Sequence, residues 1–169
     1  MKVSTASLWI AASVLFSLGC TPRAEPLAET APPAPAPVRT VLDATAQQAL
    51  TPEQVLTELK AGNQRFVDGN LTHRDYMAQA EATAAGGQFP KATILGCVDS
   101  RVPPEIIFDQ GIGDVFVGRV AGNVEDVNLV GSMEFATKVA GSKVILILGH
   151  TACGAIKGAA DGVELGNPV

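Results

Sequence analysis

The chain has 169 residues, 47% of them hydrophobic and 17% charged, with a formal net charge of −5. That is enough chain for one domain, too apolar for a wholly disordered protein, and too acidic to carry the electrostatic footprint of a nucleic-acid binder. Three cysteines, Cys20, Cys97 and Cys153, are far too few for a disulfide-stapled scaffold, so the fold must rest on a hydrophobic core or on a metal.

Lys2 precedes an uncharged stretch whose apolar heart, Leu8 to Leu18, is 11 residues long. A bilayer crossing takes about 20 such residues, so residues 1–19 read as a secretory signal rather than a membrane span. Gly19-Cys20 resembles the end of a bacterial lipoprotein signal, in which the cysteine is acylated and becomes the mature N-terminus. That resemblance implies export to the periplasm or cell envelope and a lipid anchor to a membrane at Cys20. Over residues 20–50, Pro22, Pro26, Pro32, Pro33, Pro35 and Pro37 alternate with alanines. Such a composition favours extended polyproline II and reads as a disordered spacer.

The folded domain is expected over residues 51–169. Thr51, Pro52 and Gln54 form a helix start, with a capping hydroxyl, proline at the first helical position and an amide that reaches back. Val55, Leu56, Leu59 and Phe66 follow at helical spacing, with Gly62-Asn63 as a point where the helix could break. From Asp68 to Pro90 the sequence predicts a loop with a helical stretch around Met77 to Ala85. His73, in that polar region, reads as solvated surface rather than a proton shuttle.

Three short apolar runs come next: Ala92 to Gly96, Asp114 to Gly118 and Lys143 to Leu148. Continuous runs predict strands buried on both faces. Val127 to Ala140, with apolar residues every three or four positions, predicts a crossover helix. Strands alternating with helices predict an α/β fold with a central, mostly parallel sheet flanked by helices.

Chemistry in such sheets collects where the strands end. The first run leads straight into Cys97-Val98-Asp99-Ser100-Arg101, and the third into His150-Thr151-Ala152-Cys153, so two parallel strands deliver Cys97, His150 and Cys153 to one edge. Two thiolates and one imidazole suit Zn²⁺, and three protein ligands leave a fourth position for water or substrate. Asp99 and Arg101, two apart, project to one side, where a guanidinium holds a carboxylate ionised and oriented. Taken alone, these residues leave other readings open: a Cys97–Cys153 disulfide, a pair of inert buried cysteines, or a purely structural Asp99–Arg101 salt bridge.

Taken together, Cys97-Val98-Asp99-Ser100-Arg101-Val102, Arg119-Val120-Ala121-Gly122-Asn123 and Gly149-His150-Thr151-Ala152-Cys153-Gly154 resemble the β-class carbonic anhydrases. The resemblance runs from Thr51 to Val169 and is densest from Ala92 to Gly158. It implies that Cys97, His150 and Cys153 are zinc ligands and that Asp99 with Arg101 orients the nucleophile. It implies further that Gln88, nine residues before Cys97, contacts CO₂ or bicarbonate, and that Phe116 lines an apolar wall of the pocket, although a core phenylalanine fits Phe116 equally well. The implied reaction is reversible hydration of CO₂ to bicarbonate and a proton, and the implied assembly a homodimer or higher homo-oligomer. Relatives that hydrolyse carbonyl sulfide or carbon disulfide share the metal-site pattern, and so would an inactive zinc-binding or bicarbonate-sensing module. Family members continue into a further helix and a final strand, so the chain reads as shortened at its C-terminus, either as a fragment or in its native form.

Overall fold

The computed structural model describes residues 35–166. The signal, Cys20 and the first half of the spacer lie outside the described residues. Order begins before Thr51. Val38 bridges to Arg74 in parallel, with Val38 N–H donating to His73 O at 2.8 Å and Asp75 N–H to Val38 O at 3.0 Å. Helix α1 (Ala44–Ala49) follows, its N-terminus capped by the Asp43 carboxylate, which accepts from Ala46 N–H at 2.8 Å. The physical reason is an alanine-rich stretch with high helix propensity and one polar residue whose donors are satisfied inside. Buried Gln47 donates through Nε2 to Pro90 O at 2.8 Å and to Ala140 O at 2.7 Å. The spacer expected to run to residue 50 therefore gives way to folded structure across its second half.

Helix α2 (Pro52–Val67) starts on the anticipated capping box, in which Thr51 Oγ1 accepts from Gln54 N–H at 3.2 Å and Gln54 Oε1 from Thr51 N–H at 2.8 Å. Gly62 does not break it. The glycine is buried against the end of α4 (Pro104–Ile107), where a Cβ would stand 1.9 Å from Phe108 O. Its role is close approach, which only a residue without a side chain allows. Helix α3 (Tyr76–Gly86), capped by Asp75, occupies the predicted helical stretch.

The sheet contains β1 (Ala92–Gly96), β2 (Val115–Arg119) and β3 (Val144–Leu148), all parallel in the order β2-β1-β3. Register places Gly96 beside both Arg119 and Leu148, so the three strands end level. One face packs Val55 and Leu59 of α2 against Ala92, Ile94 and Phe108, with Val115, Val144, Leu146 and Leu148 at the margin. Each fully buried aliphatic side chain contributes roughly 1.5–3 kcal/mol relative to exposure. Helix α5 (Val127–Lys138) covers the other face, where Leu129 meets Gly118 and Phe135 stacks on Phe116 with centroids 6.3 Å apart.

Burial on both faces holds for β1 alone. On β3, Ile145 and Ile147 keep 48% and 58% of their surface exposed. A helix about 10 Å across covers about two strands at their spacing of about 4.8 Å. β3, at the edge among the described residues, is left half open.

A polar clasp ties α2, α4 and the loop before α3 together. Asp109, in the left-handed region at φ 48°, has a side chain only 2% exposed. Its carboxylate accepts from Arg65 Nε, Arg74 Nη1, Thr72 Oγ1 at 2.7 Å and Thr72 N–H at 3.2 Å. Burial pushes this carboxyl up, but the Thr72 hydroxyl and the two guanidinium groups outweigh it and bring it down to about 2.

Candidate metal centre

The level strand ends build the site. β1 runs out into Cys97, which is 3% exposed, and β3 into Gly149 and His150, while Cys153 stands directly before α6 (Gly154–Ala160). The bend that turns Cys153 back towards Cys97 passes through Ala152 at φ 54°, a conformation that costs a residue with a Cβ roughly 1–2 kcal/mol.

The ligand atoms of Cys97, His150 and Cys153 lie within 4.8 Å of one another. Both cysteines are free and their sulfurs stand 3.9 Å apart, about twice the length of an S–S bond, so the disulfide reading is excluded. His150 Nδ1 bonds to Thr151 O at 2.9 Å, which makes Nδ1 the protonated nitrogen. Nε2 is buried without a hydrogen-bond partner. The His150 ring sits close enough to Cys97 to link their ionisation without the geometry of a hydrogen bond. Its influence is the chief reason the Cys97 thiol is lowered to about 6, followed by the amides of Asp99 and Gly122. Cys97 in turn is the main cause of the raised His150 imidazole.

Such a cluster fits a tetrahedral thiolate-preferring cation. Two thiolates bound at about 2.3 Å in tetrahedral geometry sit about 3.8 Å apart, close to the separation seen here. The readily ionised thiol and the unpartnered nitrogen are the two features a metal ligand set requires.

Beside this cluster, Arg101 grips Asp99 through three donors: its backbone N–H at 3.0 Å, Nε at 2.9 Å and Nη2 at 2.7 Å. Nη2 also reaches Ala152 O at 3.2 Å, tying the pair to the loop between His150 and Cys153. Asp99 Oδ2 stands 3.9 Å from His150 Nδ1. The Arg101 hydrogen bonds hold the Asp99 carboxyl far below the usual carboxylate range, and the same bonds raise Arg101. The carboxylate is thus ionised and fixed in direction at the rim of the cluster.

Two residues assigned from sequence lie elsewhere in this chain. Gln88 is exposed in the loop between α3 and β1. The whole of β1, some 16 Å at about 3.3 Å per residue, separates it from Cys97. Phe116, the second residue of β2, stacks on Phe135 of α5, the arrangement of a residue packed between helix and sheet.

Three residues gain roles that sequence reasoning had not assigned. Arg119 donates through Nε to Cys97 O at 2.7 Å and through Nη2 to Asp99 O. Gly122, at φ 73°, turns its amide towards the Cys97 sulfur, and Asn123, at φ 62°, donates to Leu148 O at 2.6 Å. The available signal was position: β2 is the third parallel strand, and its end falls on the same sheet edge as the ligands.

Residues 92–168 match the family described as Carbonic anhydrase. Carbonic anhydrase 2 of Mycobacterium tuberculosis is 50% identical over 101 residues, 60% of this chain and 49% of the relative. The carbonic anhydrase of Mycolicibacterium smegmatis is 44% identical over 108 residues, 64% of this chain and 52% of the relative. Among solved structures, the β-carbonic anhydrase CafA of Aspergillus fumigatus superposes with a TM-score of 0.49 at 30% identity, covering 68% of this chain and 53% of that one. The chain spans about half the length of the curated relatives it matches. Cys97, His150 and Cys153, gathered beside a locked Asp99–Arg101 pair, lie inside the region of this chain that matches the carbonic anhydrase family.

Proposed function

We propose that this chain catalyses the zinc-dependent, reversible hydration of CO₂ to bicarbonate and a proton. The observation that carries the reading is the convergence of three metal donors within 4.8 Å, next to a carboxylate that a guanidinium holds ionised. Cys97, His150 and Cys153 would hold the zinc. Bound there, zinc supplies Lewis-acid activation of water near neutral pH, for which carbonic anhydrases are themselves the reference case.

The chain's own residues provide the rest. Asp99 accepts a hydrogen bond from the attacking water and so aims its lone pair at the carbon of CO₂. Orientation of this kind converts an encounter into a near-attack arrangement. Arg101 keeps the carboxylate from turning towards the metal. Its own charge is never lost at working pH, so the pair holds its geometry throughout turnover. One C–O bond forms, one proton is released to buffer, and bicarbonate departs.

The reading includes a homodimer or higher homo-oligomer. Gln88 lies at the far end of β1 from its own Cys97, so any contact of Gln88 with substrate has to come from a second copy. It also includes export and acylation at Cys20, supported by the short apolar run ahead of Gly19-Cys20. Mass spectrometry of the mature N-terminus tests this part: a diacylglyceryl mass on Cys20 is the expected result, and an unmodified terminus would replace anchoring with plain secretion.

The zinc-loaded protein should be assayed by stopped flow with CO₂, and in parallel with carbonyl sulfide and carbon disulfide. Hydration of CO₂ well above the buffer rate, with slow or no turnover of the sulfur compounds, is expected. The reverse ranking would reassign the substrate.

A further inference from the structure

Arg119 is the last residue of β2, half-buried and paired in register with Gly96, the residue before Cys97. Among the described residues it forms no ion pair. Its guanidinium instead reaches across the end of β1 and donates to two backbone carbonyls, Cys97 O through Nε and Asp99 O through Nη2. Strand pairing does not need these bonds, because Val120 N–H already fastens the strand end to Gly96 O at 3.1 Å. What the fork does hold is the three-residue span that carries a metal ligand at one end and the oriented carboxylate at the other.

We propose that Arg119 is a positioning residue for the metal centre: one rigid guanidinium, bonded to the carbonyls of Cys97 and Asp99 together, sets the spacing between the metal-ligating sulfur and the catalytic carboxylate. The inference rests on reading Cys97, His150 and Cys153 as the zinc site of a hydratase. Arg101 fixes the direction of the Asp99 carboxylate from the side-chain end, and Arg119 fixes its backbone. A planar guanidinium spans two acceptors at a set distance, which a lysine ammonium reaches only one at a time. Without Arg119, the carboxylate keeps its charge and its Arg101 partner, while the backbone of residues 97–99 is free to shift. Displacements near 1 Å at a reacting group cost on the order of 10²-fold in rate.

The experiment uses the full chain loaded with zinc for kinetics and with Co²⁺ for spectroscopy, in wild type, Arg119→Ala, Arg119→Lys, Asp99→Asn and the Arg119→Ala/Asp99→Asn pair. Metal content should stay near one ion per chain in all of them. Arg119→Ala should lose roughly ten- to a hundredfold in kcat and change the visible cobalt bands, with Arg119→Lys between it and wild type. Because Arg119 acts through the placement of Asp99, the same substitution in the Asp99→Asn background should cost about twofold or less, a breakdown of additivity. Unchanged cobalt bands and kcat in Arg119→Ala, with only a lower melting temperature, would make Arg119 a structural residue and overturn the proposal. Full additivity with Asp99→Asn would overturn it as well. If Arg119→Ala does not fold, Arg119→Lys and Arg119→Gln carry the same comparison. A wild-type protein that binds Co²⁺ but hydrates no CO₂ would refute the proposed function alone, and the cobalt bands of the Arg119 variants would still decide this inference.

Discussion

Gly62→Ala sets two effects of opposite sign against each other, and the structure decides between them. In a helix interior, alanine is favoured over glycine by about 1 kcal/mol, so α2 by itself would gain. At Gly62, however, the new Cβ would stand 1.9 Å from Phe108 O and 2.8 Å from Phe108 C, where real contacts do not fall below 3.0 Å. The end of α4 would have to retreat by more than 1 Å, the difference between 3.0 and 1.9. That backbone carries the Ile107 carbonyl bonded to Asn63 at 3.1 Å and the Asp109 clasp on Arg65 and Arg74. Overpacking costs about 1–3 kcal/mol, and partial loss of a buried ion pair adds to it from a full value of about 3–5 kcal/mol. The net expectation is a loss of roughly 2–4 kcal/mol. In a domain of this size that lowers the melting temperature by roughly 10 °C, read by circular dichroism on metal-free protein. Gly131→Ala in α5 is the control, since nothing lies within 4 Å of its added Cβ, and it should raise stability slightly. Gly62→Ala melting at or above wild type would refute the close-approach argument.

Asp99→Asn should keep its zinc, measured by elemental analysis, and lose on the order of 10²-fold in CO₂ hydration, the scale of one positioned catalytic group. The Asp109 clasp makes stability acid-sensitive in a stated direction. Its folded-state pKa of about 2 lies below the ordinary 3.8, so its contribution is complete above about pH 4 and is lost as pH falls through about 2. The loss amounts to about 2 kcal/mol. Urea unfolding of the metal-free protein at pH 6, 4 and 3 should show about half of it by pH 3, and Asp109→Asn should be less stable at pH 6 and lack that part of the acid dependence.

The gathering of Cys97, His150 and Cys153 was legible because it depends on sequence-local facts: the first and third apolar runs lead into these residues, and level parallel strands bring those ends together. Asp99 and Arg101 were expected to face one way on an extended chain, whereas they meet inside a turn that Val102 N–H closes on Asp99 O at 3.2 Å, with Arg101 N–H bonded to the Asp99 carboxylate. The roles of Arg119 and Asn123 were not legible, because their partners are backbone carbonyls elsewhere in the chain, Cys97 O and Asp99 O for the first and Leu148 O for the second. Backbone acceptors leave no mark in a sequence. Gly62 misled as a break because a glycine needed for a neighbouring carbonyl looks the same as one that ends a helix. Gln47 was overlooked inside an alanine-rich stretch, where composition hid a single side chain with two buried backbone partners.

The central claim is that Cys97, His150 and Cys153 together hold the zinc on which activity depends. Metal-free protein should be titrated with zinc while CO₂ hydration is followed by stopped flow. The account predicts a rate that climbs linearly and breaks at one zinc per chain, with Cys97→Ser and His150→Ala remaining at the buffer rate across the same range. A hydration rate indifferent to zinc, or a Cys97→Ser variant that follows the wild-type titration, would contradict it.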